Sequence, residues 1–298
     1  MVSHVAIAGA TGNLGFPILN AILEAGCRVT VLPRIGGNSS ELKPHPNLTI
    51  KEADFLFTSS LTLALDGVEV VVPCLATLAT GAQNPLINAA VAAGVTRFIL
   101  AEFGMNSTNP YRMALPVCEP KVATYKYLLA SSEASPHFTF TGIANGLFLD
   151  WCLQAGIILD LKHRSATLYN GGDVPFTTTT LADVARGVLG VIEHLHETKN
   201  QKVYIQSAGV TPNQLIGYAK EYDGGNWTTM VKSTEILRQE SLQELAKGPA
   251  ADIELAMLGF CIVASWSPEY SCDFSSHLDN ELLGIRGLNK KRHEEVRW

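Results

Sequence analysis

Several features that mark whole classes of protein are missing from this chain of 298 residues. No apolar run approaches the roughly 20 residues that a membrane-spanning helix needs. No basic stripe is present, the formal net charge is −6, and nucleic acid binding depends on clustered Lys and Arg. We therefore expect neither a nucleic acid nor a membrane as partner. The basic segment Asn289-Lys-Lys-Arg-His293 is too short to change this and is interpreted as a solvated helix end or tail.

The chain also lacks a recognisable leader and a disulfide pattern. The first apolar strand starts within a few residues of Met1, which leaves no room for a charged segment and a cleavage site. The six cysteines show no C-x-x-C spacing and lie mostly in apolar surroundings, as buried thiols do in a reducing compartment. We expect a soluble, cytoplasmic protein, and with 47% hydrophobic residues it can bury a substantial core.

Common catalytic signatures are missing as well. There is no G-x-S-x-G elbow and no Gly-Lys-Ser/Thr phosphate loop. His194 and His196 are two residues apart on a predicted helix, so they do not share a face, and no metal site is expected. No Tyr has a Lys four residues later, so the Y-x-x-x-K pair of ordinary short-chain dehydrogenases is absent.

A glycine turn stands out at the start of the chain. The strand that ends at Ala8 runs into Gly9-Ala-Thr-Gly12-Asn-Leu-Gly15, and an apolar helical pattern over Phe16–Ala25 follows. Strand, glycine turn and helix in this order can hold a pyrophosphate with backbone N–H groups at the positive end of a helix. The spacing is G-x-x-G-x-x-G, and its context favours a dinucleotide site over a turn of purely structural origin.

Strands and helices alternate through the rest of the first half. Val68–Cys74 is apolar apart from Glu69, as expected of a strand in a parallel sheet covered on both faces, and Gly67 and Gly94 fall where helices should end. The pattern predicts an α/β Rossmann-type, doubly wound parallel sheet. Its further segments are the strands Arg28–Pro33, Thr49–Glu52 and Arg97–Ala101 and the helices Leu61–Leu65 and Pro85–Ala93.

The residue that follows the second strand indicates which nucleotide binds. NAD-binding sheets usually have Asp or Glu there, whereas this chain has Arg34, which can pair with a 2′-phosphate. The sequence therefore favours NADP(H). Lys43, in the following loop, is a second candidate contact, and simple solvent exposure explains it equally well.

The candidate proton donor is a lysine. Glu119 and Pro120 predict a helix start, which places Lys121 in the first turn. The positive end of the helix dipole disfavours an ammonium there, which suits an acid/base group near neutrality. Tyr125 shares its face and either assists Lys121 or packs in the core.

Taken together, these motifs resemble the isoflavone reductase-like, NmrA-like family of atypical short-chain dehydrogenases/reductases. The segments that carry the resemblance are Gly9–Gly15, Arg34, Gln83 with Ala-Ala-Gly-Val-Thr-Arg-Phe98, Ala101-Glu-Phe-Gly104, Lys121, Thr139–Phe148 and the helix-like segment Thr177–Ile192. The resemblance implies NADPH/NADP+ as cofactor and Lys121 as the catalytic lysine. The cofactor contacts that it implies are Gly9, Thr11, Gly12, Asn13, Leu14, Gly15, Arg34, Lys43, Leu75, Ala76, Lys121, Asn145 and Phe148.

The substrate side departs from the family pattern. Leu100-Ala101 replaces the usual Pro-Ser before Glu-Phe-Gly, and the segment up to Lys121 is shorter and rich in Pro. Candidate substrate contacts are Phe103, Met105, Phe148 and Trp151, which suit a flat apolar or aromatic guest and are equally compatible with an ordinary core. We expect an NADPH-dependent oxidoreductase of secondary metabolism that reduces an enone, ketone or related aromatic or polyketide-like acceptor. The alternatives are an NADP(H)-binding redox sensor without turnover and a dehydratase or isomerase.

The second half of the chain is predicted to hold the substrate. We divide the chain into an NADP-binding domain, residues 1–150, and a smaller, mostly helical substrate-binding region, residues 151–298, that returns to the sheet near Lys202–Gln206. Its predicted helices are Asn213–Tyr222, Ser233–Leu245 and Ala250–Gly259, with breaks at Gly224-Gly225 and Gly248-Pro249. A homodimer is left open.

Overall fold

The computed structural model describes residues 2–37, 39–270 and 272–288. Its main sheet is built from β1 (His4–Ala8), β2 (Arg28–Leu32), β3 (Leu48–Ile50), β4 (Val70–Pro73), β5 (Arg97–Gly104), β6 (Thr139–Ala144) and β10 (Gln201–Tyr204). All seven strands are parallel, in the order β10-β6-β5-β4-β1-β2-β3. The strand order reverses between β1 and β4, so their carboxyl ends border the crevice in which doubly wound sheets bind ligands.

Helices cover both faces of this sheet. The α-helices described in the first two-thirds of the chain are α1 (Gly15–Glu24), α2 (Thr58–Ala64), α3 (Asn84–Ala92), α4 (Glu119–Ala134), α5 (Leu149–Gln154) and α6 (Leu181–Glu193). Val5 and Ile7 of β1 pack with α1 and α6, whereas the intervening Ala6 and Ala8 pack with α2 and α3. This alternation buries both faces of the strand and confirms the predicted Rossmann-type fold.

The chain returns to the main sheet through α6 and β10. β9 (Phe176–Thr179) leads into α6, whose first turn is capped because the hydroxyl of Thr180 accepts a hydrogen bond from the Asp183 N–H at 3.1 Å. β10 then pairs in parallel with β6, with Lys202 opposite Gly142. The segment that was predicted to return to the sheet, near Lys202–Gln206, therefore overlaps β10, which is the edge strand of the main sheet.

The rest of the second half forms a smaller region beside the carboxyl edge of the sheet. Its helices are α7 (Pro212–Asp223), α8 (Thr234–Leu245) and α9 (Ile253–Trp266). Its strands include β7 (Leu147–Phe148), β8 (Ser165–Tyr169), β11 (Ala208–Val210) and β12 (Thr228–Lys232). Together with β9 they form a three-stranded sheet in the order β11-β9-β7 and a two-stranded sheet β12-β8. A separate apolar cluster around Phe176, Phe260 and Trp266 forms its core.

Some boundaries differ from those predicted. β5 continues to Gly104 because its pairing with β6 shifts between Leu100 and Gly104. The segment Thr177–Ile192 is not one helix, since its first residues pair with β11 and β7. α9 ends at Trp266 rather than at Gly259, because apolar residues continue to pack against the core.

The structure also bears on the predictions for the two histidines, the basic segment, membrane spans and the domain division. His194 and His196 lie beyond the end of α6 and not on a helix. The basic segment 289–293 lies outside the described residues. Among the described helices, none combines the length and apolar character needed to cross a membrane. The division of the chain at residue 150 stays a prediction. After residue 150, α6 packs against the main sheet and β10 forms its edge strand.

Candidate active site

The glycine turn lies at the carboxyl end of β1 and leads into α1. A Cβ at Gly9 would come within 2.2 Å of the Cys74 carbonyl oxygen, and one at Gly15 within 2.1 Å of the Gly9 carbonyl oxygen. A Cβ at Gly12 would have the Gly9 carbonyl oxygen as its nearest neighbour, at 3.4 Å. Two of the glycines are thus required by the packing of the chain on itself, while Gly12 is exposed and leaves room for a guest.

The start of α1 presents backbone donors to this turn. Leu14 is the N-cap residue and provides no side-chain hydrogen bond to the first turn. Thr11 and Asn13 are exposed, and Leu14 is half-buried. Because the first N–H groups of a helix have no partner within the helix, this end offers donors and a positive dipole to an anionic group.

The other predicted cofactor residues also follow strand carboxyl ends. Arg34 is exposed two residues after β2, where its backbone bridges to Ala53. Leu75 and Ala76 follow β4 after Cys74, and Lys43 is exposed in the loop between β2 and β3. Because these strands are parallel, Arg34, Leu75 and Ala76 lie along the same edge of the sheet as the glycine turn.

Asn145 follows β6 at the same edge and is fully buried. Its Nδ2 donates to the Gly146 carbonyl oxygen at 3.2 Å. Its Oδ1 is buried and has no hydrogen-bond partner in the described part of the chain. A buried amide oxygen without a donor is costly, so this atom fits a role in which a bound molecule donates to it.

A cavity of about 440 Å³ opens between the sheet edge and the second region. Six of the predicted residues line it, namely Ala76, Phe103, Met105, Lys121, Phe148 and Trp151. Its surface is largely apolar, and the polar or charged side chains at its wall are Lys121, Glu254 and Ser265 besides the thiols. The structure thus brings the predicted substrate residues together with the predicted proton donor, although Phe103 and Met105 are also mostly buried.

Helix α9 supplies one wall of the cavity, and none of its residues was predicted as a site residue. Its residues on the cavity are Glu254, Met257, Leu258, Cys261, Ile262 and Ser265. They are spaced as one face of a helix, at intervals of three and four residues. This signal is visible in the sequence, but a helix ending at Gly259 contains only half of it.

Thiols line the same cavity. Burial raises the pKa of the Cys118 and Cys152 thiols to about 12 and that of Cys272 to about 11. Burial also raises the pKa of Cys261. All four are cavity residues and stay protonated near neutrality.

Lys121 lies in the first turn of α4, as predicted, and reaches the cavity wall. Its Nζ donates a short hydrogen bond to the backbone carbonyl oxygen of Glu102, at the bulged end of β5. Tyr125, one turn later, packs edge-on against Phe140 with ring centroids 5.4 Å apart. Burial, with a smaller contribution from the Glu102 carboxylate, raises the pKa of Tyr125. These contacts favour the packing interpretation of Tyr125.

A buried ion pair lies next to Lys121 and was not predicted from the sequence. The Lys202 ammonium lies 3.1 Å from Oε1 of Glu102, and the two side chains are 6% and 0% exposed. Burial alone would raise the pKa of Glu102, but the charges of Lys202 and Lys121 and hydrogen bonds from Ser107 hold it below its ordinary value. The two residues are 100 positions apart in the chain, so no local pattern connects them.

Known proteins resemble this chain in sequence and in fold. The chain is 32% identical to "Oxidoreductase poxI" of Penicillium oxalicum, over 97% of this chain and 91% of that protein. Escherichia coli quinone oxidoreductase QOR2 complexed with NADPH superposes with a TM-score of 0.74 at 22% identity, over 98% of both chains. An isoflavone reductase structure superposes with a TM-score of 0.71 at 19% identity, over 92% of this chain and 91% of that one.

The structural likenesses bear on the fold alone, because their sequence identity is low. The sequence comparison also identifies the family, because the model of the NmrA-like family matches residues 1–247. That stretch contains the glycine turn, Arg34, Lys121 and Lys202. The chain belongs to the NmrA-like family, as its motifs predicted.

Proposed function

We propose that this protein is an NADPH-dependent reductase that acts on a small, flat, apolar acceptor such as an aromatic enone or ketone, with Lys121 as proton donor. The observation that carries the proposal is the cavity of about 440 Å³, in which Lys121 meets a largely apolar wall at the carboxyl edge of the sheet. The curated relative with 32% identity is named an oxidoreductase, which supports the same class of enzyme.

The residues present fit NADPH. The tight turn at Gly9 and Gly15, the start of α1 without a side-chain cap and the exposed Arg34 suit a pyrophosphate and a 2′-phosphate. The buried Oδ1 of Asn145 lacks a donor within the described residues and suits an amide group such as that of nicotinamide. When bound, NADPH supplies a hydride to an electron-poor carbon.

The chain's own residues bind the acceptor and manage the proton. The aromatic and sulfur-containing walls bind a flat guest and exclude water from it. Lys121 holds a proton at Nζ, and the Glu102 carbonyl oxygen fixes the direction of that group. A proton delivered there to a developing oxyanion is general acid catalysis.

The test is NADPH oxidation at 340 nm against aromatic enones, quinones and ketones, with nucleotide binding measured by fluorescence. Lys121→Ala should lower kcat by about a hundredfold or more and leave the Kd for NADPH nearly unchanged, as removal of a general acid does. Lys126→Ala is the matched control, because Lys126 is an exposed lysine on the same helix. Wild-type turnover by Lys121→Ala would contradict the role of Lys121.

The panel also separates the reductase from a sensor. A redox sensor of this family needs the nucleotide site and has no requirement for a proton donor at the cavity wall. Tight NADPH binding with no turnover on any acceptor would contradict the reductase and support the sensor.

A further inference from the structure

The buried pair of Glu102 and Lys202 joins two strands that are not neighbours in the sheet. β6 lies between β5 and β10, and its Gly142 is opposite both Leu100 and Lys202. A Cβ at Gly142 would lie 3.2 Å from Cγ of Lys202. The missing side chain therefore lets Lys202 lie across β6 and reach Glu102.

The Lys202 ammonium is held on several sides. It donates to Asn106 Oδ1 at 3.0 Å, to Thr108 Oγ1 at 3.1 Å and more weakly to Ser107 Oγ at 3.4 Å, in addition to Glu102. It also lies 4.9 Å from the centre of the Tyr125 ring. Burial lowers the pKa of Lys202, and the Glu102 carboxylate opposes this effect.

The Glu102 carboxylate is only half satisfied. Oε1 accepts hydrogen bonds from Lys202 and from the Ser107 N–H at 2.8 Å. Oε2 is buried and has no hydrogen-bond partner among the residues that the structure describes. An apolar pair at this place would avoid that cost, so packing alone does not account for a charged pair here.

Lys121 connects this pair to the cavity, because its ammonium donates to the backbone carbonyl oxygen of Glu102. Two formal charges therefore act on Lys121 from the sheet side. The carboxylate of Glu102 favours the ammonium form, and the ammonium of Lys202 opposes it. The other titratable groups that line the cavity with Lys121 are Cys118 at the cap of α4, Cys152 of α5, Glu254 and Cys261 of α9, and Cys272. Tyr125 lies one turn further along α4.

We propose that Glu102 and Lys202 are positioning residues that set the proton affinity of Lys121. Glu102 holds the proton on Lys121, and Lys202 offsets enough of that attraction for the proton to leave. The proposal deepens the proposed function and rests on it for the use that turnover makes of this proton. It predicts effects of opposite sign from the two members of one ion pair.

The experiment measures the protonation of Lys121 directly. The folded 298-residue chain is labelled with trace acetic anhydride across a pH series, and acetylation of the peptide containing Lys121 is quantified by mass spectrometry. Glu102→Gln should shift the midpoint of labelling down by about one pH unit, and Lys202→Met should shift it up by a similar amount, the scale expected for a neighbouring charge. The alkaline limb of kcat should move in the same two directions.

Two further variants separate electrostatics from packing. Lys202→Arg keeps the charge and should restore the wild-type midpoint. Arg97→Lys disturbs another buried network on β5, whose guanidinium donates to Thr139, Thr141 and Thr198 at 2.7 to 2.9 Å. It should lower thermal stability without moving the midpoint.

The outcomes are distinguishable. Opposite shifts support the proposal, and no shift or shifts of the same sign overturn it. If Glu102→Gln does not fold, an upward shift in Lys202→Met with restoration by Lys202→Arg supports the proposal, and its absence overturns it. Because labelling needs no turnover, full activity of Lys121→Ala would remove the proposed function while leaving this result standing.

Discussion

The glycine turn and the cavity wall are built in opposite ways. At the turn, backbone atoms of Gly9, Gly15 and Cys74 approach so closely that a single added carbon would collide with them. At the cavity, side chains converge from β5, α4, α5 and α9 and from the turn after β4. The first site depends on one continuous segment, whereas the second depends on contacts between segments that are far apart in the chain.

This difference explains why the glycine turn was easier to predict from the sequence than the cavity wall. A backbone site restricts residue types locally, and glycine at a collision point is a strong restriction. A side-chain wall accepts many apolar residues of suitable volume. The two packed glycines of the turn, Gly9 and Gly15, should therefore tolerate no added carbon, whereas the substrate side should respond to change by degrees.

The largest effect is expected at Gly15. Gly15→Ala places a Cβ 2.1 Å from a backbone oxygen, so the turn must shift, and it should abolish measurable NADPH binding and lower the unfolding temperature. Gly12→Ala is the matched variant, because its nearest neighbour is at 3.4 Å. It should weaken NADPH binding while keeping the unfolding temperature. Fluorescence titration and calorimetry check both, and equal behaviour of the two variants would remove the distinction.

A smaller effect is expected at Arg34. Arg34→Ala should raise the Kd for NADPH by roughly ten- to a hundredfold, because hydrogen bonds to a charged group contribute about 1.5–3 kcal/mol, and leave that for NADH unchanged. Arg28→Ala is the control, since Arg28 is exposed at the other end of β2. Titration with both nucleotides decides the matter, and a parallel loss for NADH would rule out recognition of the 2′-phosphate by Arg34.

The smallest effect is expected on α9. Met257→Ala should raise the KM for an accepted substrate by about tenfold, as expected for loss of apolar contacts in a pocket, with the Kd for NADPH unchanged. Leu255→Ala on the same helix is the control, because Leu255 is 57% exposed and does not line the cavity. Steady-state kinetics measure this effect, and an unchanged KM would show that α9 does not contact the substrate.

Much of the first half could be predicted from local signals. Glycine turns and continuous apolar strands located β1, β2, β4, α1 and α3 to within a residue or two, because such signals act within a few positions. The oxidoreductase class and the family were readable for the same reason. Lys121 also lies in the first turn of α4, as predicted.

The rest depended on contacts over long sequence separations. The pairing of Thr177 with β11 overrode a helix-like reading, and the continuation of α9 depended on a core that only the fold assembles. The pair of Glu102 and Lys202 requires β10 to lie beside β6 and Gly142 to leave space. No periodic pattern in the sequence predicts this arrangement.

The thiols around the cavity bear on the durability of the protein. With pKa values of about 11 to 12 for Cys118, Cys152 and Cys272, only roughly 10⁻⁴ to 10⁻⁵ of each is thiolate at pH 7. Alkylation by an electrophile requires the thiolate. An electrophile in the cavity would therefore meet very little thiolate, so the same burial that shapes the cavity also lowers the reactivity of its walls.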